Sequence, residues 1–189
     1  MPNLASLLFL LWQLFEITPA RLAPPPTPVE IFQRTAIAAP YTTAIAQAST
    51  TWQLDPFVLA ALLQVESGWQ AWRENPRTGA AGIAQFMPSG RQAVMTIRRL
   101  RGAPRPFTQA HALDPHQAIP AAAELLVYLQ DRCGTLDRAL GAYNSGRCGG
   151  VRGFRARVWQ WTNRLRTQAG LPPLPVAAPP RRPGRRPAV

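Results

Sequence analysis

The chain has 189 residues, which is enough for one domain of ordinary size with tails, and its 47% hydrophobic share is typical of a globular protein. The 21 basic residues outnumber the 9 acidic ones, and every basic residue is Arg. Because this bias and the 21 prolines are typical of a biased genome, we do not read the charge as a nucleic-acid signal, although it predicts attraction to polyanions.

Residues 1–23 form an apolar stretch that is interrupted by Gln13 and Glu16 and is short for a membrane span. Thr18 and Ala20 offer a small-residue cleavage pattern, but no Lys or Arg precedes the apolar run. We therefore expect an atypical signal peptide, no stable transmembrane span, and an exported protein, periplasmic or extracellular. The alternatives are an uncleaved anchor and a start site in the wrong position.

Proline-rich residues 24–39 are expected to form a stiff, extended linker. From residue 40 to residue 170 the apolar residues recur at helical spacing, and no convincing alternating strand is present, so the predicted fold class is all-α. Residues 171–189 are rich in Pro and Arg, contain no acidic residue, and are expected to be disordered.

Helix boundaries follow from caps and prolines at particular positions. A first apolar stripe runs from Tyr41 to Trp52, and Asp55 and Pro56 cap the next helix. Later helices are expected from Pro88 to about Leu100, from Asp114 and Pro115 onward, from Thr135 to Tyr143, and from about Phe154 to Ala169.

Glu66 lies at the end of an almost wholly apolar run, residues 56–68. In a helix it follows Leu62 by four residues and Leu63 by three, so its side chain emerges on the apolar stripe. Desolvation and the negative end of the helix macrodipole both raise the pKa of such a carboxyl. A partly protonated acid suits general acid catalysis. The alternative is a solvated Glu at a frayed helix end.

Two further blocks follow residues 66–68 along the chain: the glycine-rich segment 79–88 and the segment 142–146. In this order and spacing, the three blocks resemble the catalytic domain of the soluble lytic transglycosylase family, which has a goose-lysozyme-like fold. The resemblance extends over about 41–161. It implies a lysozyme-like helical domain at 40–170, flanked by the Pro-rich and Arg-rich tails.

The resemblance also implies an activity and a set of site residues. The enzyme would cleave peptidoglycan glycan strands between N-acetylmuramic acid and N-acetylglucosamine and close a 1,6-anhydro ring without water. Glu66 would act as acid and then as base, with Ser67 and Tyr143 as its orienting neighbours. The matching sugar-contact positions are Gly82, Ile83, Gln85 and Asn144. Neither a metal nor an organic cofactor is implied.

Some site features are less well defined by the sequence. Trp69, Trp72 and Phe86 could stack on sugar faces, with core packing as the alternative. The rival acid is Glu74 in a loop, and the other acids after Glu66 are read as caps or as polar residues at helix faces and ends. The family usually has a Leu-Met pair where this chain has Ile-Ala at 83–84.

Cys133 and Cys148 bracket Tyr143. In an exported protein an even number of cysteines favours a disulfide, and a loop of this length would contribute about 3 kcal/mol. The alternative is two buried free thiols in a cytosolic protein. His111 and His116 are five residues apart with a proline between them, and we read both as solvated loop residues that form no metal site.

Three functions fit these observations. The first is a lytic transglycosylase, and the second is a lysozyme-type hydrolase on the same fold, in which water replaces the C6 hydroxyl. The third is a non-catalytic, Arg-rich binder of wall, membrane or nucleic acid. For the enzyme, a small chain without a recognisable wall-binding module favours local wall opening, with a secretion, conjugation or phage assembly as a partner. No specific nucleic-acid partner is expected.

Overall fold

The protein was analysed as a computed structural model, which describes residues 28–175. The apolar segment 1–23 and residues 176–189 of the tail lie outside this range. The described chain is mostly helical, which confirms the all-α prediction. Its helices are α1 (Pro28–Gln33), α2 (Thr42–Trp52), α3 (Pro56–Ser67), α4 (Pro88–Leu100), α5 (Gln109–Leu113), α6 (Pro115–Cys133), α7 (Leu136–Ser145) and α8 (Arg152–Gln168). A short 3-10 helix, Ala39–Tyr41, precedes α2.

One small sheet interrupts the helices, and the sequence did not predict it. Strand β1 (Glu74–Asn75) pairs antiparallel with β2 (Ala80–Ala81), so that Glu74 lies opposite Ala81. Each strand has only two residues, and an alternating pattern cannot be recognised over so short a length. The hairpin connects α3 to α4 and brings the glycine-rich segment back beside the end of α3.

The caps that the sequence predicts are present. The side chain of Asp55 accepts hydrogen bonds from the backbone N–H groups of Phe57 and Val58, and Asp114 and Thr135 cap α6 and α7 in the same way. Helix α3 ends at Gly68, which adopts a left-handed φ of 64°. The boundaries of the helix that carries Glu66 are therefore fixed by local chemistry at both ends.

Helix α3 lies at the centre of the core. Seven consecutive residues, from Phe57 to Leu63, are at most 2% exposed, so this helix is covered on all sides along its first two turns. It packs against α2 and α8, while α6 packs against α2, α4 and α7. A wholly apolar helix is expected in such a central position, because no part of its surface meets water.

Helices α3 and α8 run antiparallel. Arg166, near the end of α8, binds Asp55, which is the N-cap of α3. Glu66 lies eleven residues beyond Asp55, and Arg155 lies eleven residues before Arg166. Both helices rise by the same amount per residue, so the end of α3 is level with the first turns of α8.

The segment before α2 differs from the extended linker that we expected at 24–39. Residues 28–33 are helical, and Phe32 is only 1% exposed. Its ring contacts Phe57 edge to face, with the centroids 5.5 Å apart. Proline at the start of α1 is compatible with a helix, because the N–H that proline lacks would have no partner within the helix in its first turn. The folded unit therefore includes α1.

The described part of the C-terminal tail is also attached to the fold, where we expected disorder from residue 171. The backbone N–H of Leu174 donates to the side-chain oxygen of Asn163 at 2.8 Å, and Leu174 packs against the core. The N–H of Leu171 donates to the carbonyl oxygen of Arg166 at 2.8 Å. The tail thus remains docked on α8 as far as residue 175.

Glu124 is not on a polar face, which corrects that prediction. It lies on α6, is 5% exposed, and forms ion pairs with Arg98 at 3.0 Å and Arg101 at 3.3 Å, both from the end of α4. Two guanidinium groups satisfy the buried carboxylate, a compensation that periodicity along one helix cannot show. No helix within residues 28–175 is long and apolar enough to cross a membrane.

The docking of α1 can be tested by Phe32→Ala. The variant should lower the free energy of unfolding by about 3 to 5 kcal/mol, because a buried aromatic ring is removed. Chemical denaturation measures this change. Leu100→Ala is the control, since Leu100 is 72% exposed and its loss should change stability by less than about 0.5 kcal/mol. Equal effects from the two variants would contradict the docked position of α1.

Candidate active site

Glu66 lies in the last turn of α3, immediately before Ser67 and the helix end at Gly68. The residue is half-buried, with the apolar body of α3 beneath it. Desolvation raises the pKa of Glu66 to about 8, against the opposing charges of Arg157 and Arg73, which lower it. The carboxyl is therefore mostly protonated at neutral pH, as the sequence pattern predicts.

Tyr143 joins α7 to the glycine-rich segment. Its hydroxyl donates to the carbonyl oxygen of Ala84 at 3.1 Å, and its ring lies 6.3 Å from that of Phe86. Burial, followed by the nearby charge of Glu66, raises the pKa of Tyr143 well above its usual range. This bond uses the hydroxyl proton of Tyr143, and the electrostatic influence of Glu66 indicates that the phenol lies near the carboxyl group.

The glycine-rich segment turns sharply at Gly82, which has a φ of 79°. A Cβ atom at this position would lie 1.6 Å from the carbonyl oxygen of Ala112, so only glycine allows the turn to pack against α5. The backbone N–H of Gly82 donates to the carbonyl oxygen of Arg73 at 2.8 Å, and the carbonyl oxygen of Gly82 accepts from the backbone N–H of Gln85 at 3.1 Å. Both backbone groups of Gly82 are thus engaged within the protein.

Gln85 holds this turn in place. Its backbone has a φ of 48°, and its side-chain nitrogen donates to the carbonyl oxygens of Arg73 at 3.0 Å and Gly82 at 2.8 Å. The family resemblance implies that Gln85 contacts a sugar, and a free amide would offer that sugar both a donor and an acceptor. Since both amide hydrogens are used, only the side-chain oxygen of Gln85 is left to receive a hydrogen bond from a ligand.

The other predicted site residues differ in accessibility. Ser67 is fully buried, and its hydroxyl donates to the carbonyl oxygen of Leu63 at 3.3 Å, within its own helix. The side chain of Ile83 is fully buried in the core, whereas Asn144 is exposed at the end of α7. Asn144 is therefore the accessible polar side chain in this group, and the roles of Ser67 and Ile83 stay predictions.

The three aromatic candidates also differ in burial and in their ring contacts. Phe86 is 2% exposed and packs edge to face on Phe107, so it belongs to the core. Trp69 stacks on Tyr41 with ring centroids 6.3 Å apart and has a left-handed φ of 70°. Trp72 is 75% exposed, so its faces are open to solvent and to a ligand.

The rival acid Glu74 is exposed and accepts a hydrogen bond from the side chain of Gln109 at 2.6 Å. Asp137 is bound by Arg155 and by the indole N–H of Trp159.

Within residues 28–175 no group of three or more His, Cys, Asp or Glu side chains could hold a metal ion. His111 lies in α5 and forms a capping box with Thr108, which corrects its assignment to a loop.

Arg73 and Arg157 are site residues that the sequence analysis missed. Arg73, from the loop before β1, donates to the carbonyl oxygen of Ser67 at 3.4 Å. Arg157 lies on the exposed side of α8. Neither forms a salt bridge within residues 28–175. In a chain with 21 arginines nothing local marks these two, because their importance comes from the antiparallel packing of α3 and α8.

A disulfide joins Cys133 at the end of α6 to Cys148 in the loop after α7, with the Cα atoms 5.4 Å apart. The same loop packs tightly against α7, since a Cβ atom on Gly141 would lie 2.4 Å from the backbone nitrogen of Gly150. The bond therefore fixes the chain on both sides of Tyr143 and Asn144. A structural disulfide is typical of an oxidising compartment.

Comparisons with known proteins agree with the helical fold. A sequence model of the transglycosylase SLT domain matches residues 43–161. The fold is similar to that of the 70-kDa soluble lytic transglycosylase of Escherichia coli, with 18% identity and a TM-score of 0.62 over 76% of this chain and 26% of that one. It is also similar to an inactive mutant of the lytic transglycosylase Slt from Pseudomonas aeruginosa, with 16% identity and a TM-score of 0.57 over 72% and 25% of the chains.

A third solved structure, a complex of the 70-kDa soluble lytic transglycosylase with bulgecin A, has 19% identity and a TM-score of 0.51. That match covers 74% of this chain and 22% of the other. The chain thus spans about a quarter of the length of each of these proteins. The similarity extends over the helical domain and leaves most of each larger protein unmatched.

The unusual pKa of Glu66 predicts a pH-dependent effect of Glu66→Gln on stability. In the unfolded chain this carboxyl titrates near 4.5, and in the folded chain near 8, so wild-type stability falls as pH rises between these values. The variant lacks this loss. Its melting temperature relative to wild type should therefore be higher at pH 9 than at pH 4, as measured by thermal unfolding.

Glu74→Gln serves as the control for this measurement, because Glu74 is exposed. Its effect on the melting temperature should be nearly the same at pH 4 and pH 9. A Glu66→Gln difference that is equally independent of pH would contradict the desolvated position of the carboxyl.

Proposed function

The chain belongs to the transglycosylase SLT domain family, and we propose that it is a lytic transglycosylase that cleaves the β-1,4 bond between N-acetylmuramic acid and N-acetylglucosamine in peptidoglycan. The observation that carries this proposal is the pKa of Glu66, which burial raises to about 8. An acid that is protonated at neutral pH can donate its proton to a leaving oxygen.

In the first step, Glu66 gives its proton to the oxygen between the two sugars, and the bond from C1 of N-acetylmuramic acid to that oxygen breaks. The acetamido oxygen of the same sugar stabilises the positive charge at C1. The carboxylate of Glu66 then takes the proton of the C6 hydroxyl, and O6 bonds to C1. The products are a free 4-hydroxyl on N-acetylglucosamine and a 1,6-anhydro end, and no water is consumed.

A single acid is enough for this route, whereas most glycosidases need two carboxylates. The other acids of residues 28–175 have different partners or positions. Asp55 and Asp114 cap helices, Glu124 and Asp137 bind arginines, Glu74 accepts from Gln109, and Glu30 and Asp131 are exposed. Glu66 is the acid whose pKa burial raises. This distribution favours assistance by the substrate over a second catalytic carboxylate.

Tyr143 is proposed as the orienting residue, because its hydroxyl is fixed by the bond to Ala84 and its phenol is electrostatically coupled to Glu66. Asn144 and the side-chain oxygen of Gln85 are the proposed sugar contacts. For Ser67 and Ile83 we keep the roles that the family resemblance implies, namely orientation of Glu66 and a backbone contact to the glycan. For Gly82, whose backbone N–H and carbonyl are both bonded within the protein, we propose positioning of the turn instead of direct contact with the glycan.

We place the catalytic domain within residues 28–175, with its N-terminal boundary before residue 40 because α1 packs into the core. Export to the periplasm or the extracellular space is supported by the Cys133–Cys148 disulfide. The proposed process is local wall opening for a secretion, conjugation or phage assembly.

Glu66→Gln should abolish turnover of purified sacculi, with a loss of at least about a thousandfold, because the amide cannot donate the proton that the leaving group needs. Mass spectrometry of the wild-type digest should find muramic products that are lighter than hydrolysis products by one water. Hydrolysed, reducing ends from the wild type would support the lysozyme-type alternative. Wild-type lysis by Glu66→Gln would exclude Glu66 as the acid.

The pH profile gives a second test of the acid. Because the free enzyme must hold Glu66 protonated, kcat/KM should fall as pH rises through about 8. Initial rates at low substrate concentration from pH 3.5 to pH 10 measure this limb. A decline centred near 4.5 instead would mean that the reactive carboxyl is solvated in solution.

A further inference from the structure

We propose that Arg157 binds a carboxylate of the peptidoglycan strand and so selects anionic muramic acid residues for the site beside Glu66. This inference rests on the proposed function. Muramic acid carries a lactyl group that N-acetylglucosamine lacks, and in the wall this group bears a peptide with carboxylates of its own. A cation close to the scissile bond can therefore distinguish the two sugars by charge.

The position of Arg157 follows from the packing of two helices. The ion pair between Asp55 and Arg166 aligns the start of α3 with the end of α8. Because the helices are antiparallel, the end of α3, with Glu66, is level with residues 155–157 of α8. The charge of Arg157 lowers the pKa of Glu66, in agreement with this proximity.

The two arginines in this turn of α8 have different environments. Arg155 is engaged, since it binds Asp137 on the neighbouring helix α7. Arg157 is exposed and forms no salt bridge within residues 28–175. A guanidinium that is held by the fold would serve stability, whereas one that stays unpaired beside the acid is available for a carboxylate, which it can bind through two parallel hydrogen bonds.

The chemistry of Glu66 gives a reason to expect a ligand there. An unneutralised cation beside a general acid lowers the pKa of that acid and so opposes its protonation. When a substrate carboxylate neutralises Arg157, this opposition ends, and Glu66 holds its proton more tightly. The correct substrate thus stabilises the reactive protonation state of the enzyme.

Within residues 28–175, three side chains are electrostatically coupled to Glu66. Arg73 comes from the loop before β1, Arg157 from α8 and Tyr143 from α7. Helix α2, which also packs on α3, contains no titratable side chain. Arg73 is already held by the carbonyl oxygen of Ser67. Of the two cations, Arg157 is therefore the one whose charge a bound ligand is best able to neutralise.

The test compares Arg157→Gln, Arg157→Lys and the control Arg164→Gln on sonicated sacculi. Arg164 lies on the same helix and is exposed, but it is two turns nearer the opposite end of α3 and stacks on Trp161. Both glutamine variants remove one positive charge. We expect about a tenfold rise in KM for Arg157→Gln with kcat less affected, partial rescue by lysine, and almost no change for Arg164→Gln.

In a second experiment the negative charge is removed from the wall, and the protein keeps Arg157. Sacculi whose carboxylates are converted to neutral methylamides should be cleaved by wild type and Arg157→Gln with the same KM. Strands freed of peptide by an amidase expose the lactyl carboxylate. Because the lactyl carboxyl is amide-bonded to the peptide in native sacculi, disappearance of the Arg157→Gln defect on these strands assigns Arg157 to the peptide carboxylates. Persistence of the defect shows that the freed lactyl carboxylate can take their place at Arg157.

The pH profiles add a readout that a purely structural role would not change. In wild type on native sacculi, the alkaline limb of kcat should lie at higher pH than that of kcat/KM, because bound substrate neutralises Arg157. In Arg157→Gln the two limbs should move closer together. Thermal unfolding should find the variant as stable as wild type.

Several results would overturn the inference. An equal KM defect on native and neutralised sacculi, an equal defect from Arg164→Gln, or wild-type kinetics for Arg157→Gln would each exclude a carboxylate at Arg157. Failure of the proposed function is distinguishable from these, because wild type would then release no anhydro products from any of the substrates.

Discussion

The protein depends on the removal of one carboxyl group from water. Glu66 lies at the end of a helix whose first two turns, residues 57–63, are covered on every side, and desolvation raises its pKa to about 8. The fold achieves this by placing α3 at the centre of the core and closing its end with α8, α7 and the glycine-rich turn. The central helix that stabilises the domain is thus the same element that prepares the acid.

The surroundings of the acid are held by bonds within the protein. Tyr143 donates a hydrogen bond to the carbonyl oxygen of residue 84, and Gln85 donates to those of residues 73 and 82. Gly82 packs against α5 without room for a side chain. Each of these residues therefore positions the backbone that lines the site. The groups that the protein leaves available near Glu66 are the side-chain oxygen of Gln85, the exposed side chain of Asn144, and the cations Arg73 and Arg157. This composition fits a glycan that carries hydroxyl donors and carboxylates.

Much of the domain could be predicted because its signals are local. Asp55 and Pro56 begin α3, Gly68 ends it, and the spacing from Leu62 and Leu63 places Glu66 on the apolar side. The helix from Pro88 to Leu100 was likewise defined by its proline and its apolar periodicity. Where a prediction failed, the deciding contact came from elsewhere in the chain. Phe32 is ordered by Phe57, and Glu124 is buried because two arginines of α4 neutralise it.

The helical class and the family could be predicted from sequence patterns, and the same patterns made Glu66 the candidate acid. These follow from periodicity, caps and the order of short blocks, all of which act over a few residues. The folded chain was needed to see that the Gln85 amide donates to the backbone and that Ser67 bonds within its own helix. It was also needed to see that Arg73 and Arg157 lie near the acid. The physical reason is that hydrogen bonding and electrostatic coupling depend on distance in space, and the antiparallel packing of α3 and α8 brings together residues about 90 positions apart in the chain.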